Sequence, residues 1–294
     1  MSKPIIFLIC FLSILSCQEE TTSNNFRVPI ATNGITYHDD LIWVTDLIGQ
    51  SITAVDPQTG IMVKQYDFRS FNIGPDDLVF LEDGSIIWTA PIAGKVGKIT
   101  TEGKIVVLAE EESSINPITQ NTVTNEIFIG QQDFGGALKK INPNSGLLTT
   151  VATELPSLNG FAFAEDNLLY APLFNMDRLL DGYGGIIKIN TLTGLFEDWE
   201  VSFPEDPNKT KFKNTTAIKS DLNGSIYVLE STTPAVYKVN LDSGEAYKFG
   251  TLPSIAADNI ALDKNDNVYV TTFIQNIVFV FDKDGNRRKI TIQN

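Results

Sequence analysis

The stretch INPNSG, residues 141–146, combines an apolar residue, an Asn, further polar residues and a Gly, which is a β-hairpin pattern. The same pattern recurs in VDPQTG (55–60), ITTEG (99–103), INTLTG (189–194), VNLDSG (239–244) and FDKDG (281–285). Successive glycines lie 43, 43, 48, 50 and 41 residues apart. A repeat of this length indicates six copies of one structural unit.

Each copy contains three further strand patterns around the hairpin. Alternating segments such as GIIKI and AVYKV precede it, others such as MVKQYDF and EAYKFG follow it, and an aromatic-rich segment such as LIWVTD or SIYVLE lies earlier. Four short strands repeated six times predict an all-β fold, a six-bladed β-propeller with four antiparallel strands per blade. A pair of β-sandwiches is the alternative, but sandwiches do not repeat one blade signature. The predicted blades start near Asn33, Asp76, Asn116, Asn159, Thr215 and Asp258.

The N-terminal residues 1–16 have a Lys followed by a short apolar run, as in a signal peptide. The sequence ILSCQEE then resembles a bacterial lipobox, which would make Cys17 the lipidated first residue of the mature chain. We expect an export signal at 1–16, a lipidated linker at 17–25 and the propeller at 26–294, with FRVPI (26–30) as an extra strand or a tether. The alternative is a secreted eukaryotic protein, because three N-glycosylation sequons begin at Asn208, Asn214 and Asn223.

Composition restricts the possible partners. The formal net charge is −14, from 36 acidic and 22 basic residues, which argues against nucleic acid and anionic membrane surfaces as partners. We therefore expect membrane contact only through a lipid anchor. The chain has two cysteines, of which Cys10 would leave with the signal peptide. The mature chain can then form no internal disulfide, so its fold must depend on its core.

A polar pair begins the first strand of most repeats, as in the Asp258–Asn259 pair of AADNIALD (256–263). First strands are innermost in a propeller, so these residues converge on one mouth of the central channel. The predicted ring contains Asn33, Asp76, Asp77, Asn116, Asn159, Thr215, Asp258 and Asn259. Carboxylate and amide oxygens around a roomy axis suit Ca²⁺. The alternative is that they only solvate a water-filled channel.

Two long connections are predicted at the same mouth. They are PLFNMDRLLDGYGG (172–185) and SFPEDPNKTKFKN (202–214), whereas the glycine hairpins lie on the opposite face. Long loops over one end of a rigid scaffold commonly form binding sites. The residues expected to line such a site are Asn175, Asp177, Arg178, Tyr183 and Phe203.

The blade openings at 74–99, 158–173 and 257–270 resemble those of the gluconolactonase, paraoxonase and strictosidine synthase superfamily of six-bladed propellers. The resemblance implies a calcium-dependent lactonase or arylesterase. By resemblance, Asp258 and Asn259 match an Asp-Asn ligand pair, Asn159 matches an Asn ligand, and Asp76 stands where a Glu is expected. If the alignment slides by one blade, Asn116 takes the place of Asp76. The departures at Asp76 and Thr215 leave loss of the metal open.

The remaining chemistry depends on carboxylates. The single histidine, His38, is predicted at a turn on the opposite face, which excludes a histidine dyad. Hydrolysis would use Asp258, Asp77 or Glu230 as the general base with Ca²⁺ as the Lewis acid. Three functions remain open: an exported calcium-dependent hydrolase of lactones or esters, a non-catalytic propeller binding a small molecule, glycan or protein, and a metal-free enzyme of the strictosidine synthase type using Glu230. The first implies a small-molecule substrate and a periplasmic or cell-surface location.

Overall fold

The computed structural model describes residues 25–111, 114–178, 181–221, 223–231, 233–253 and 256–294. It is all-β apart from two short 3-10 turns, Arg69–Phe71 and Met176–Arg178. The first three blades consist of β1 (Ile35–His38), β2 (Leu41–Asp46), β3 (Ser51–Val55), β4 (Met62–Asp67), β5 (Asp77–Phe80), β6 (Ile86–Ala90), β7 (Lys95–Ile99), β8 (Ile105–Glu110), β9 (Ile115–Gln120), β10 (Ile127–Gln131), β11 (Gly136–Ile141) and β12 (Leu148–Leu155). The other three consist of β13 (Ala162–Glu165), β14 (Leu168–Pro172), β15 (Ile186–Asn190), β16 (Phe196–Asp198), β17 (Thr215–Ser220), β18 (Ser225–Glu230), β19 (Ala235–Asn240), β20 (Ala246–Thr251), β21 (Ala257–Leu262), β22 (Val268–Thr272), β23 (Ile277–Phe281) and β24 (Arg287–Thr291).

Each group of four consecutive strands forms one antiparallel meander, which confirms the six-bladed propeller. The hairpin between the third and fourth strands explains the repeated sequence pattern. In the third blade, Asn142 Oδ1 accepts hydrogen bonds from the N–H groups of Asn144 and Ser145, at 2.9 and 3.0 Å. Gly146 then has a φ of +73°, a backbone conformation that residues other than Gly rarely adopt. The Asx residue and the Gly together therefore close the turn.

The hydrophobic core lies between neighbouring blades. One cluster joins Phe128 and Leu138 of the third blade to Phe161, Leu169 and Ile187 of the fourth, and all five side chains are buried. Strand residues therefore face other blades on both sides of each sheet, which explains why the second strands are apolar almost throughout. Burial of this kind provides the main driving force for the fold.

The ring closes by packing of the sixth blade on the first, without a shared strand. Tyr269 and Val280 pack against Ile35 and Val44 in one cluster. Beyond β24, Gln293 accepts a hydrogen bond from the N–H of Met62 at 2.9 Å. The C-terminus therefore lies alongside the outer strand of the first blade.

The possible extra strand at 26–30 does not form. The segment has no strand hydrogen bonding, and side chains bind its backbone instead. The amide of Gln65 accepts from Arg27 N and donates to Arg27 O, and Asp46 Oδ2 accepts from Ile30 N. The segment is thus fastened along the first blade by side chains. The predicted signal peptide, Cys17 and residues 18–24 lie outside the described residues. In the part of the chain that is described, no helix is long and apolar enough to cross a membrane.

Candidate functional site

The predicted blade starts lie at one level of the propeller. In three blades the residue two positions after the blade start pairs with the same position of the second strand, as the pairs Ile35↔Val44, Leu78↔Trp88 and Ile260↔Val270 show. Inner strands of neighbouring blades also touch through their backbones. Gly34 N donates to Asp76 O at 2.7 Å, and Ile218 N donates to Gly160 O at 2.6 Å. The six starts therefore form one ring around the channel.

The acidic members of this ring are paired with amides. Asn33 Nδ2 donates to Asp258 Oδ2 at 3.5 Å, which connects the first and sixth blades. Asn116 donates to Asp76 from the third blade, and also to Gln132 at 3.4 Å. The side chains of Asp258, Asn33, Asp76 and Asn116 thus form an arc across four neighbouring blades, which we call the acidic arc.

The carboxylates of the acidic arc are electrostatically frustrated. Burial, followed by the negative charges of Asp258 and Asp77, raises the pKa of Asp76 well above its ordinary value, although a hydrogen bond from Asn116 partly opposes this. Burial and the charge of Asp77 likewise raise the pKa of Asp258 to about 7, against a hydrogen bond from Asn33. Among the ion pairs of the described residues, neither carboxylate has a cationic partner.

Asp77 is held by the backbone. Its Oδ1 accepts from Leu78 N at 2.9 Å, and its Oδ2 accepts from Ile118 N of the next blade at 3.2 Å. Burial raises the pKa of Asp77 to about 6, although the charge of Lys219 and hydrogen bonds, one of them from Asn259, lower it in part. Because both of its oxygens accept backbone hydrogen bonds, Asp77 is arranged to join two blades and is poorly placed to act as a general base.

The other ring members use their side chains within the scaffold. Asn159 Oδ1 accepts from Gly160 N at 3.0 Å, and Asn259 Oδ1 accepts from Ile260 N at 2.8 Å. The hydroxyl of Thr215 donates to the carbonyls of Leu173 and Gly185. Thr215 is fully buried and ties the fourth blade to the fifth, so its side chain is directed to the loops and not to the acidic arc.

Glu230 lies at the end of β18 but already has a cationic partner. Its two carboxylate oxygens accept from Lys209 Nζ at 2.7 and 2.9 Å, and Oε1 also accepts from Lys213 N. Glu230 is fully buried. The Lys209 ammonium also lies 5.0, 5.5 and 5.2 Å from the ring centres of Phe203, Phe212 and Tyr237. A buried ion pair of this kind makes Glu230 unsuitable as a general base.

Lys209, which provides this counter-charge, is not among the residues predicted from the sequence. Its position in the loop 202–214 gave no periodic signal, although it is one of three lysines close together in NKTKFK. The loop folds across the end of β18 and brings the ammonium to Glu230. We call this arrangement, formed by Lys209, Glu230, Phe203, Phe212 and Tyr237, the lysine clamp.

Both long loops lie at the mouth, as expected. Asn214 N donates to Tyr183 O at 2.7 Å, so the two loops contact each other beside the start of β17. They border a cleft of about 480 Å³ whose lining includes Tyr183, Trp199, Lys211 and Phe212. Among the five predicted lining residues, only Tyr183 borders this cleft.

The other predicted loop residues have different roles. Arg178 is exposed, forms an ion pair with Asp181 at 2.8 Å and stacks over Tyr183 at 4.6 Å. Asn175 Oδ1 accepts from Asp177 N and so starts the short 3-10 turn. Phe203 is largely buried in the lysine clamp and borders a separate cleft of about 230 Å³, together with Glu205 and Lys248, instead of the cleft beside Tyr183.

His38 lies at the far end of β1, as predicted. Its ring stacks on Phe80, with ring centres 3.9 Å apart and an interplanar angle of 10°. Phe80 ends the first strand of the second blade, so both rings lie on the face opposite the acidic arc. The only histidine of the chain is therefore remote from the candidate site.

The donor set of the acidic arc fits a hard divalent cation. Within the described ranges, no three carboxylate, imidazole or thiol groups converge closely enough to hold a metal alone. Two carboxylates that repel each other, flanked by two amides, offer oxygen ligands with the charge that Ca²⁺ requires, and waters can complete its six to eight positions. The residues that would hold the ion are Asp76, Asp258, Asn33 and Asn116.

Solved structures of several functions share this fold. A streptogramin B lyase superposes with a TM-score of 0.63 at 20% identity, over 91% of this chain and 85% of that one. A gluconolactonase from Xanthomonas campestris gives 0.64 at 14% identity, over 83% and 84%. A calcium-binding regucalcin from Agrobacterium tumefaciens gives 0.62 at 13% identity, over 83% and 82%. At these identities the likeness shows the fold alone.

Sequence comparison identifies the family directly. No curated protein sequence matches the chain at a significant level. The model of the SMP-30/gluconolactonase/LRE-like region, however, matches residues 31–293, which include all six blades. The chain therefore belongs to the SMP-30/gluconolactonase/LRE-like family.

Proposed function

We propose that the protein is an exported, calcium-dependent hydrolase of lactones or related esters, with its active site at the acidic arc. The observation that carries this proposal is the pair Asp76 and Asp258, whose pKa values are raised by burial and by repulsion and which have no cationic partner among the described ion pairs. Buried carboxylates without counter-charge are costly unless a cation binds them. Membership of the gluconolactonase family supports a lactonase-type activity.

Four side chains would hold the ion. Asp76 and Asp258 supply the negative charge, while Asn33 and Asn116 supply amide groups and orient the two carboxylates through hydrogen bonds. Asn159 Oδ1 and Asn259 Oδ1 accept backbone hydrogen bonds at 3.0 and 2.8 Å, which are shorter than the 3.4 Å contact that Asn33 Oδ1 accepts from Leu47 N, so the oxygen of Asn33 is the one more easily turned to an ion. When bound, Ca²⁺ would polarise the substrate carbonyl as a Lewis acid.

Asp258 is the residue that accepts the proton of the attacking water. It is half-buried, whereas Asp76 and Asp77 are buried, so it is the carboxylate of the three that solvent reaches most easily. In the calcium-free protein its pKa is about 7, and a bound cation would lower this pKa and keep the carboxylate ionised, as a proton acceptor must be. Asp77 holds the second and third blades together behind it.

A substrate panel tests this function. Initial rates are measured on aliphatic lactones, sugar lactones and aryl esters, with millimolar calcium and with chelator. We expect hydrolysis of at least one class, lost on chelation and restored by calcium. Hydrolysis that chelation leaves unchanged would contradict the calcium dependence. Calcium binding without hydrolysis of any class would instead indicate a non-catalytic propeller that binds its ligand at the same face.

A further inference from the structure

Three threonines occupy one equivalent position in the second strands of three blades. Thr45 follows Val44, which pairs with Ile35; Thr89 pairs with Asp77; and Thr271 follows Val270, which pairs with Ile260. All three side chains are fully buried. Register places Gly130, Pro172 and Glu230 at the same position in the other three blades.

Each of these hydroxyls crosses to the next blade and binds the backbone of an acidic-arc residue. Thr45 Oγ1 donates to Asp76 O at 2.6 Å and accepts from Gly34 N at 2.7 Å. Thr89 Oγ1 donates to Asn116 O at 2.5 Å. Thr271 Oγ1 donates to Asn33 O and accepts from Asn259 N at 3.1 Å.

The three hydrogen bonds run through consecutive blades. They connect the sixth blade to the first, the first to the second and the second to the third. These four blades are the ones that carry Asp258, Asn33, Asp76 and Asn116. The threonine hydrogen bonds therefore join only the blades of the acidic arc. In the third blade, which carries Asn116 at the end of the arc, Gly130 occupies the threonine position and no further bond of this kind forms. The other three junctions form without a threonine at this second-strand position, although Thr215 and Thr216 of β17 bond across two of them from the first strand.

We propose that Thr45, Thr89 and Thr271 are positioning residues that set the spacing of the four candidate calcium ligands. This inference rests on the proposed function. Each hydroxyl holds the main-chain carbonyl of the residue whose side chain would bind the ion, so it fixes where that side chain begins. Ca²⁺ takes its oxygen ligands at about 2.3–2.6 Å, so the positions from which the side chains start decide whether all of them reach the ion. Residues that orient ligands typically change metal affinity by about 10- to 100-fold when they are replaced.

Thr45 offers the sharpest test because one hydroxyl joins two blades. Thr45→Val keeps the shape of the side chain but removes the donor to Asp76 O, and Thr45→Ser keeps the donor. Thr53→Val is the matched control, since Thr53 is equally buried in the same blade and contacts Ser51 and Gln65 instead of the arc. Calcium affinity is measured by calorimetry, thermal stability by scanning calorimetry, and the position of the Asp76 carboxylate in crystals grown without calcium.

We expect Thr45→Val to weaken calcium binding by about 10-fold or more, and Thr45→Ser to stay within about 2-fold of the wild type. In crystals of Thr45→Val, the Asp76 carboxylate should be displaced relative to Asn116. Thr53→Val should lower stability without changing affinity. An affinity in Thr45→Val equal to that of the wild type, or an undisplaced Asp76, would overturn the positioning role. Should the wild type bind no calcium, the proposed function fails, whereas displacement of Asp76 still decides whether Thr45 positions it.

Discussion

Asp258 is a single residue that lowers the stability of the calcium-free fold. Its pKa of about 7 lies above the ordinary value of 3.8, so the folded protein binds this proton more tightly than the unfolded chain. Without calcium, this carboxyl therefore lowers the stability of the fold as pH rises from about 4 to about 7. A cation at the acidic arc would remove this effect by favouring the charged form.

Asp258→Asn should stabilise the calcium-free protein at high pH. The amide keeps the shape of the side chain and removes one of two repelling charges, which also lets Asp76 ionise more easily. We expect the difference in unfolding free energy between variant and wild type to be near zero at pH 4 and to grow to roughly 2 kcal/mol in favour of the variant at pH 8. Urea unfolding in the presence of chelator at several pH values measures it.

Asp56→Asn is the control for this titration. The hydrogen bonds from Thr59 and Gln58 lower the pKa of Asp56, so its loss should not stabilise the protein as pH rises. If Asp258→Asn is equally stable relative to wild type at all pH values, Asp258 is not the strained carboxylate that its surroundings indicate.

At the scale of structural elements, the lysine clamp fixes a long loop to a strand end. Glu230 is fully buried and the Lys209 side chain is 13% exposed, so each charge is compensated mainly by the other and little by solvent. Removing one partner of a buried ion pair leaves an uncompensated charge, which typically costs about 3–5 kcal/mol.

Lys209→Met should therefore destabilise the protein by roughly 3 kcal/mol, and Lys211→Met, in the exposed part of the same loop, by less than about 0.5 kcal/mol. The double variant Lys209→Met with Glu230→Gln should recover part of the loss, because the buried charge is then absent. Urea unfolding of the four proteins at pH 7 gives these values. Equal losses in the two single lysine variants would show that the clamp does not hold the loop.

The clamp also shows what the sequence could not predict. The hairpin turns follow from local chemistry, since Asn142 and Gly146 determine their own conformations. The partner of Glu230 depends on how a loop without periodicity crosses a strand end, and no local pattern in 202–214 specifies that path. FRVPI likewise has a strand-like composition, but Gln65 and Asp46 occupy its backbone groups. The three threonines were visible in LIWVTD, IIWTAP and NVYVTT, but their meaning required the register between blades.

At the scale of the whole molecule, the six-fold repeat determines the architecture and the location of the mouth. The acidic arc occupies four of the six blades, and the two long loops lie at the same face beside the fourth and fifth. The charge pattern was predictable because every blade start falls at one level. The sequence could not predict which of these acids lack a partner, because that depends on contacts between blades, such as the hydrogen bond from Ile118 N to Asp77.

Attachment of the molecule to a membrane is a proposal from the sequence. If Cys17 is lipidated, Cys17→Ser should abolish acylation and move the protein from the detergent-extracted fraction to the soluble fraction. Fractionation and intact mass spectrometry measure this. An unshifted protein with glycans at Asn208 or Asn223 would favour the secreted alternative. Asn214, in the remaining sequon, is fully buried in the folded chain, which disfavours a glycan there.

The central claim is that one calcium ion binds at the acidic arc, and calorimetric titration of the chelator-treated protein tests it most directly. We predict one ion per chain for the wild type and for His38→Asn on the opposite face. Asp76→Asn and Asp258→Asn should each weaken binding at least about 10-fold, because each removes half of the charge that compensates the ion. Absence of binding to the wild type, or undiminished binding by both aspartate variants, would contradict the account.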